Sequence, residues 1–374
     1  MERRSEKRAL RFYHALLSGG GSGGHIIPAL AVADALLQEG WKVTFAGSRQ
    51  GLEGRLVPEA GYPMVELSAR PWVGKTPTAR AKALGQLCFS TLRARRLVRQ
   101  MGVDVVLATG GYASVPGALG SRLAGIPLLL LEPNVQAGTA NRWLSRWAQE
   151  ACVVEEETAR FLRCPAVTTG VPIRGVFPAT PPPLPWSPPV LLVLGGSQGA
   201  RPLNELVPEA IRTLVEHGGP KVHVVHQAGT RHQEEAVKRW QDLKLPEGFS
   251  YEVHGFLPDV PQQLLKSTLV VSRAGAVTLA EIAAAGRPSV LVPLDLAGGH
   301  QRANALRYVR RGAALIVEGG SISPFGFASV LQSLLFDRDR LEQMARSAHA
   351  LACPHAAREV AQRLARLAEA RKQP

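Results

Sequence analysis

A histidine closes a run of glycines near the start of the chain, Ser18-Gly19-Gly20-Gly21-Ser22-Gly23-Gly24-His25. An apolar helical stretch from Ile26 through Leu37 follows, with Pro28 near its first turn, so the run reads as a strand, a glycine turn and a helix N-terminus. Glycines let the backbone approach a ligand closely, and free N–H groups at the positive end of a helix attract phosphate. The same helix end disfavours an imidazolium, which leaves His25 a neutral ring able to take a proton. A purely structural role near the cap stands beside that reading.

Two later segments repeat the geometry. Gly195-Gly196-Ser197-Gln198-Gly199-Ala200 follows an apolar strand candidate and opens a helix, and Ser272 through Glu281 again leaves a strand, turns on glycine and enters a helix. Thr278 and Glu281 fall on one face of that helix. A carboxylate one turn in can accept both hydroxyls of a ribose while the preceding amides hold a diphosphate. The plainer alternative is a Glu that only answers the helix dipole.

These turns need strands behind them, and the chain supplies them. Arg11 to Leu17, Trp41 to Gly47, Val103 to Ala108 and Pro127 to Leu131 read as buried parallel strands separated by helical stretches. The run Ala179 to Pro189 (ATPPPLPWSPP) lacks the backbone donors for a helix or central strand and reads as a stiff linker. Beyond it, Val190 to Leu194, Lys221 to His226, Ser250 to His254, Thr268 to Ser272, Pro288 to Val292 and Ala313 to Val317 start a second series. The tail from His355 to Lys372 carries Val360, Leu364 and Leu367 on one stripe, as a helix able to pack back on the first domain would. The expectation is an α/β protein with two Rossmann-like domains facing an interdomain cleft: residues 1–178, a linker at 179–189, 190–352, and a C-terminal helix over 353–374.

Composition narrows the classes. Of 374 residues, 45% are hydrophobic and 20% charged, an ordinary globular balance. No run reaches the roughly 18 apolar residues of a membrane-spanning helix, and the segment after Met1 to Arg8 is strand-like instead of a signal core, so a cytoplasmic location is expected. Cys88, Cys152, Cys164 and Cys353 lie far apart without a C-x-x-C pair, which points to neither a zinc site nor a disulfide framework. The net charge of +14 favours an anionic partner, and it is uneven. No acidic residue occurs between Glu66 and Asp104, where Arg70, Lys75, Arg80, Lys82, Arg93, Arg95, Arg96 and Arg99 stand among Trp72, Val73, Leu84, Leu87, Phe89 and Leu92. That mixture suits anionic phospholipid; the alternative reading is a solvated helix whose leucines pack on the sheet. Nucleic acid fits poorly, because no recognition motif accompanies the charge.

The glycine loop alone also satisfies the dinucleotide pattern, but the second strand ends Phe45-Ala46-Gly47-Ser48-Arg49, without the acidic residue that holds the ribose of NAD; Ser48-Arg49 could suit NADP. A wider set of motifs points elsewhere. With Gly20-Gly21-Ser22-Gly23-Gly24-His25, Gly110-Gly111-Tyr112-Ala113-Ser114-Val115-Pro116, Gly195 through Ala200 and Arg273 through Glu281, the chain resembles the MurG family from about Leu16 to about Ala365. The resemblance implies a GT-B fold, UDP-GlcNAc in the second domain and a lipid-linked acceptor, lipid I, on the first. It implies transfer of GlcNAc to give lipid II in peptidoglycan synthesis, by a peripheral protein on the cytoplasmic face of the cell membrane. Carried over position by position, Ser22, Gly23, Gly24, Asn134, Arg174, Ser197, Leu257, Ala276, Val277, Thr278, Leu279, Ala280, Glu281 and Gln301 look like donor contacts. Gly20, Gly21, Gly111, Tyr112 and Ser114 look acceptor-side. Two departures stand out: Ser22 replaces the usual Thr, and Leu131-Glu132-Pro133-Asn134 replaces His-Glu-Gln-Asn, so no catalytic role is expected at Leu131.

The implied chemistry is inverting. The acceptor C4 hydroxyl attacks the anomeric carbon, with His25 the first choice as base and Glu132 the reserve, oriented by Asn134 or Tyr112. Helix N-termini near Ser197 and Ala276 would answer the leaving-group charge, so neither a cofactor nor a metal is expected. The one D-x-D, Asp337-Arg338-Asp339, reads as a helix cap. A UDP-GlcNAc 2-epimerase-like or other GT-B enzyme is the alternative, with a dehydrogenase or a non-enzymatic UDP-sugar sensor behind it.

Overall fold

The structure, a computed structural model, describes residues 13–67, 77–196, 199–294, 299–318 and 320–372, and the side chains of the helix beginning at Pro77 from residue 82 on. Arg11, Arg70, Trp72, Val73, Lys75, the Arg80 side chain, Ser197 and Gln198 therefore lie outside the described residues.

The chain divides into two compact units, one built from residues up to Pro133, Ala137–Arg174 and His355 onward, the other from Asn134–Gln136 and Gly175–Pro354. In the first, β1 (His14–Ser18), β2 (Lys42–Gly47), β3 (Met64–Glu66), β4 (Val105–Ala108), β5 (Leu128–Glu132), β6 (Glu150–Val153) and β7 (Ala166–Thr168) form one sheet. Its order is β3-β2-β1-β4-β5-β6-β7, and every pair is parallel. Helices α1 (Gly23–Gln38), α2 (Glu53–Glu59), α3 (Pro77–Gln100), α4 (Val115–Leu123) and α5 (Thr139–Leu144) connect the strands. The central strands are covered on both faces, which is why they consist of unbroken apolar runs such as Leu128–Leu131.

The second unit repeats the plan. Strands β8 (Val190–Leu194), β9 (His223–Gln227), β10 (Ser250–His254), β11 (Leu269–Ser272), β12 (Ser289–Leu291) and β13 (Ala314–Ile316) give a parallel sheet of order β10-β9-β8-β11-β12-β13. The helices are α6 (Arg201–Glu216), α7 (Gln233–Gln241), α8 (Val260–Leu265), α9 (Ala276–Ala284), α10 (His300–Arg310), α11 (Pro324–Leu335) and α12 (Arg338–His349). Asp337 caps α12 through its carboxylate, which accepts the Arg340 N–H. The last helix, α13 (Ala356–Lys372), returns to the first unit. There Val360, Ala361, Leu364 and Ala368 are buried against α1, and Arg363 and Lys372 pair with Glu150 and Asp104.

In both sheets the strand order reverses beside the first strand of the unit, between β1 and β4 and again between β8 and β11. At such a reversal the loops leaving the two carboxyl ends turn to opposite sides and leave a crevice where open α/β sheets bind ligands. The loops at these reversals are Gly19–Gly24 with Thr109–Gly111, and Gly195–Ala200 with Arg273–Gly275.

Candidate functional site

In the first unit α1 begins at Gly23, not at Ile26, and Ser22 is its N-cap. Glycine's poor helix propensity makes Gly23 and Gly24 read as turn, yet both are helical and His25 lies in the first turn. The Ser22 carbonyl takes the N–H groups of His25 (3.2 Å) and Ile26 (3.3 Å), while its hydroxyl caps nothing, so the amides of Gly23 and Gly24 point out of the helix end. A methyl group at Gly23 would meet no protein atom. Packing therefore does not require glycine there, although glycine within a helix costs about 1 kcal/mol relative to alanine. Open space over two free amides is what a ligand in van der Waals contact with the backbone needs.

The imidazole is held from behind. His25 Nδ1 lies 2.8 Å from the Thr109 carbonyl oxygen, which can only accept, so Nδ1 carries the hydrogen and Nε2 is the ring's proton-accepting position whenever the imidazole is neutral. Gly110 (φ +92°) and Gly111 (φ +72°) lie flat against the ring, where side chains would crowd it. Tyr112 follows, partly exposed, beside Gly21.

Glu132 is 1% exposed. One carboxylate oxygen accepts the Gly138 N–H and the Asn141 side-chain amide, both at 2.9 Å. Through these bonds it braces the loop before α5. Leu131 is wholly buried in the core, as its apolar character requires. Ser114 is also buried, its hydroxyl donating to the Gly111 carbonyl at 2.9 Å, so it shapes the turn and offers a ligand nothing. Arg174 Nε donates to Asp34 on α1 at 2.9 Å, and Tyr62 donates to the other oxygen of the same carboxylate at 2.7 Å. Sequence had grouped Arg174 with donor contacts; here its charge is spent within the first unit.

In the second unit Gly275 is the N-cap of α9, with no side chain capping the first turn. Glu281, two turns in on the same face as Thr278, is half-buried and forms no hydrogen bond or ion pair among the described residues. Burial pushes its carboxyl up to about 7. Arg273 is likewise desolvated, which lowers its guanidinium from the ordinary value, and it lies over Gly196 (φ +79°). It borders a cavity of about 540 Å³ with Ala200, Leu203, Val292, Leu294 and Glu318.

Among the expected donor contacts, Ala276, Thr278 and Ala280 keep partial exposure, whereas Val277, Leu279 and Leu257 bury their side chains in the core and can offer only backbone. The Leu279 carbonyl is already taken by the Tyr308 hydroxyl at 2.9 Å. Gln301 uses its side-chain oxygen to hold the Leu294 N–H at 3.1 Å. Asn134 belongs to the second unit, where the buried Asn304 amide donates to its side-chain oxygen (3.1 Å) and to the Ala274 carbonyl (3.2 Å).

Residues 15–153 match the N-terminal domain and residues 190–364 the C-terminal domain of glycosyltransferase family 28. The chain is 41% identical over 352 residues to the UDP-N-acetylglucosamine--N-acetylmuramyl-(pentapeptide) pyrophosphoryl-undecaprenol N-acetylglucosamine transferase of Ectopseudomonas mendocina, covering 93% of this chain and 96% of that protein. This chain belongs to the MurG family. The corresponding transferase of Methylococcus capsulatus is 40% identical over 349 residues, covering 92% of this chain and 96% of the relative. The crystal structure of Acinetobacter baumannii MurG superposes with a TM-score of 0.78 at 32% identity, covering 95% of this chain and 99% of that one. The two-domain α/β architecture of this MurG-family chain is thus the GT-B fold. Sequence reasoning missed three residues around its histidine: Thr109, Asn141 and Glu53. Their only signals were polar residues beside glycines that lie far apart along the chain.

Proposed function

We propose that this MurG-family chain transfers GlcNAc from UDP-GlcNAc to the C4 hydroxyl of the MurNAc unit of undecaprenyl-pyrophosphoryl-MurNAc-pentapeptide, converting lipid I to lipid II with inversion at the anomeric carbon. The observation that carries the reading is the imidazole of His25, its Nδ1 hydrogen fixed on the Thr109 carbonyl beside two free helix amides. The acceptor hydroxyl attacks the anomeric carbon as His25 Nε2 takes its proton, and UDP departs from the opposite face. Such a positioned base contributes about 10²–10⁴-fold in rate.

The second unit holds the donor. The uncapped start of α9 and the Gly195–Ala200 turn answer the charge growing on the departing diphosphate, which is why the proposed reaction needs no metal ion. Glu281 accepts the ribose hydroxyls, the Leu257 backbone meets the uracil, and Ala276, Thr278, Ala280 and Ser197 complete the grip. Glu132, whose carboxylate braces the loop before α5, remains the reserve base.

The same protein binds the inner surface of the membrane peripherally. No helix among the described residues is long and apolar enough to cross a bilayer. On α3, Leu84, Phe89 (67% exposed) and Leu92 stand out beside the exposed Lys82, Arg93, Arg96 and Arg99. The opposite face, with Ala83, Ala94 and Val98, is buried, so the exposed apolar residues are surplus to the core. Apolar anchors among cations suit anionic lipid, at about 1 kcal/mol per basic residue.

The deciding experiment is transfer of radiolabel from UDP-GlcNAc to a lipid I analogue. Label in the lipid product, with UDP released only when acceptor is present, supports the reading. Acceptor-independent release of UDP would overturn it in favour of an epimerase-like reaction.

A further inference from the structure

Beneath the Gly19–Gly24 turn lies a carboxylate that the proposed chemistry does not use. Glu53, in the first turn of α2, is 1% exposed. One of its oxygens accepts the Gly21 N–H at 2.8 Å and the other the Ser48 N–H at 3.0 Å, tying the β1–α1 turn to the end of β2. Hydrogen bonds from backbone amides to a carboxylate are charge-assisted and about twice as strong as neutral ones.

Three glycines make room for this group. A methyl at Gly20 or Gly51 would overlap the carboxyl, and one at Gly47 would press on the Glu53 chain and the Gly19 carbonyl. Gly20 lies in the β1–α1 turn and Gly47 and Gly51 in the stretch from β2 to α2, so the space is built from two segments of the chain around one side chain.

What the carboxylate holds bears directly on the reacting histidine. Gly21 (φ +84°) precedes Ser22, whose carbonyl starts α1 by accepting the His25 and Ile26 amides. Rotation of the Gly20–Gly21 peptide, whose N–H Glu53 holds, would swing the helix start, and with it the free amides and the imidazole. Glu53 also occupies the Gly21 amide from inside the protein, so a substrate anion is left the amides of Gly23 and Gly24.

We propose that Glu53 is a positioning residue for sugar transfer: held under the glycine turn, its carboxylate sets the Gly21 peptide so that the Gly23 and Gly24 amides and His25 Nε2 face the acceptor. The inference rests on the proposed role of His25. Glu53 does not touch the substrate, and it acts on the acceptor side alone.

The test is steady-state transfer to a lipid I analogue by the full-length chain, with UDP affinity measured separately by calorimetry and folding by thermal melting. In Glu53→Gln the amide can accept from only one of the two N–H groups. Turnover should fall about ten- to hundredfold through misplacement of the reacting groups, with UDP affinity and melting temperature close to wild type. Glu53→Asp, which keeps the charge, should recover part of the loss. Gly51→Ala, which crowds the carboxyl from the α2 side and leaves its charge intact, should show a smaller loss in the same direction, and it carries the test if Glu53→Gln does not fold. Wild-type turnover in these variants overturns the proposal, as does a parallel fall of melting temperature, UDP affinity and turnover, which would make Glu53 a purely structural brace. His25→Ala separates the two readings. If it keeps wild-type turnover, the base assignment fails; if it loses turnover while Glu53→Gln and Gly51→Ala do not, only the role of Glu53 fails.

Discussion

The two glycine turns look alike in sequence and differ in how their charges are satisfied. Around the start of α1 the titratable groups have protein partners behind them: Glu53 on two amides, His25 Nδ1 on the Thr109 carbonyl and, at the end of β5, Glu132 on Gly138 and Asn141. At the start of α9 the carboxylate of Glu281 and the guanidinium of Arg273 are desolvated with no described partner. Leaving a charged group desolvated and unpaired is costly, and a ligand that pairs it recovers that cost on binding. On the proposed reading the first turn is preorganised to aim a proton acceptor. The second offers its desolvated charges to the nucleotide it is proposed to grip and release.

The contrast breaks most visibly at the base. His25→Ala should lower turnover by about 10²–10⁴-fold and leave UDP affinity near wild type, measured by label transfer under saturating donor. The complementary change, Glu281→Ala, should weaken UDP binding roughly ten- to hundredfold, the worth of lost hydrogen bonds to a charged group, and should reduce turnover at saturating donor much less. Calorimetry and label transfer on one preparation separate the two effects.

A smaller effect sharpens the second half of the comparison. Because burial raises the Glu281 carboxyl to about 7, the free protein favours its protonated form. The native state then holds a proton that the unfolded chain has lost between the ordinary carboxylate value of 4.5 and about 7, so this group's contribution to stability falls as pH rises through that window. Nucleotide binding runs the other way, since the carboxylate that accepts ribose hydroxyls is the ionised form. UDP affinity should strengthen as pH rises through 7, and the slope should flatten in Glu281→Gln. The smallest expected effect is at the membrane. Replacing Arg96 with Ala should cost about 1 kcal/mol of binding to anionic vesicles and nothing on neutral ones, and sedimentation with vesicles of each kind checks it.

The long apolar strands were legible because parallel sheets covered on both faces demand unbroken Val and Leu runs, and β8 falls at the expected residues. Short strands gave no such signal. Met64–Glu66 is only half-buried, and Glu150–Val153 opens on a glutamate. The glycine turns marked both switch points, yet the site's finer chemistry was hidden. Which helical residues face outward depends on packing, so Val277 and Leu279 turned out to serve the core where a run of ligand contacts was expected. Ser114, Glu132 and Arg174 carry groups fit for a substrate, and their partners are chosen by the fold, not by their neighbours in sequence. Glu53 was invisible for the same reason, since the Gly21 amide it holds lies on a separate segment of the chain.

The division of labour is tested most directly by titrating UDP into wild type, His25→Ala and Glu281→Gln side by side in a calorimeter. The account predicts that His25→Ala binds UDP as wild type does and that Glu281→Gln binds it at least several-fold more weakly. UDP binding that collapses in His25→Ala and survives in Glu281→Gln would contradict it.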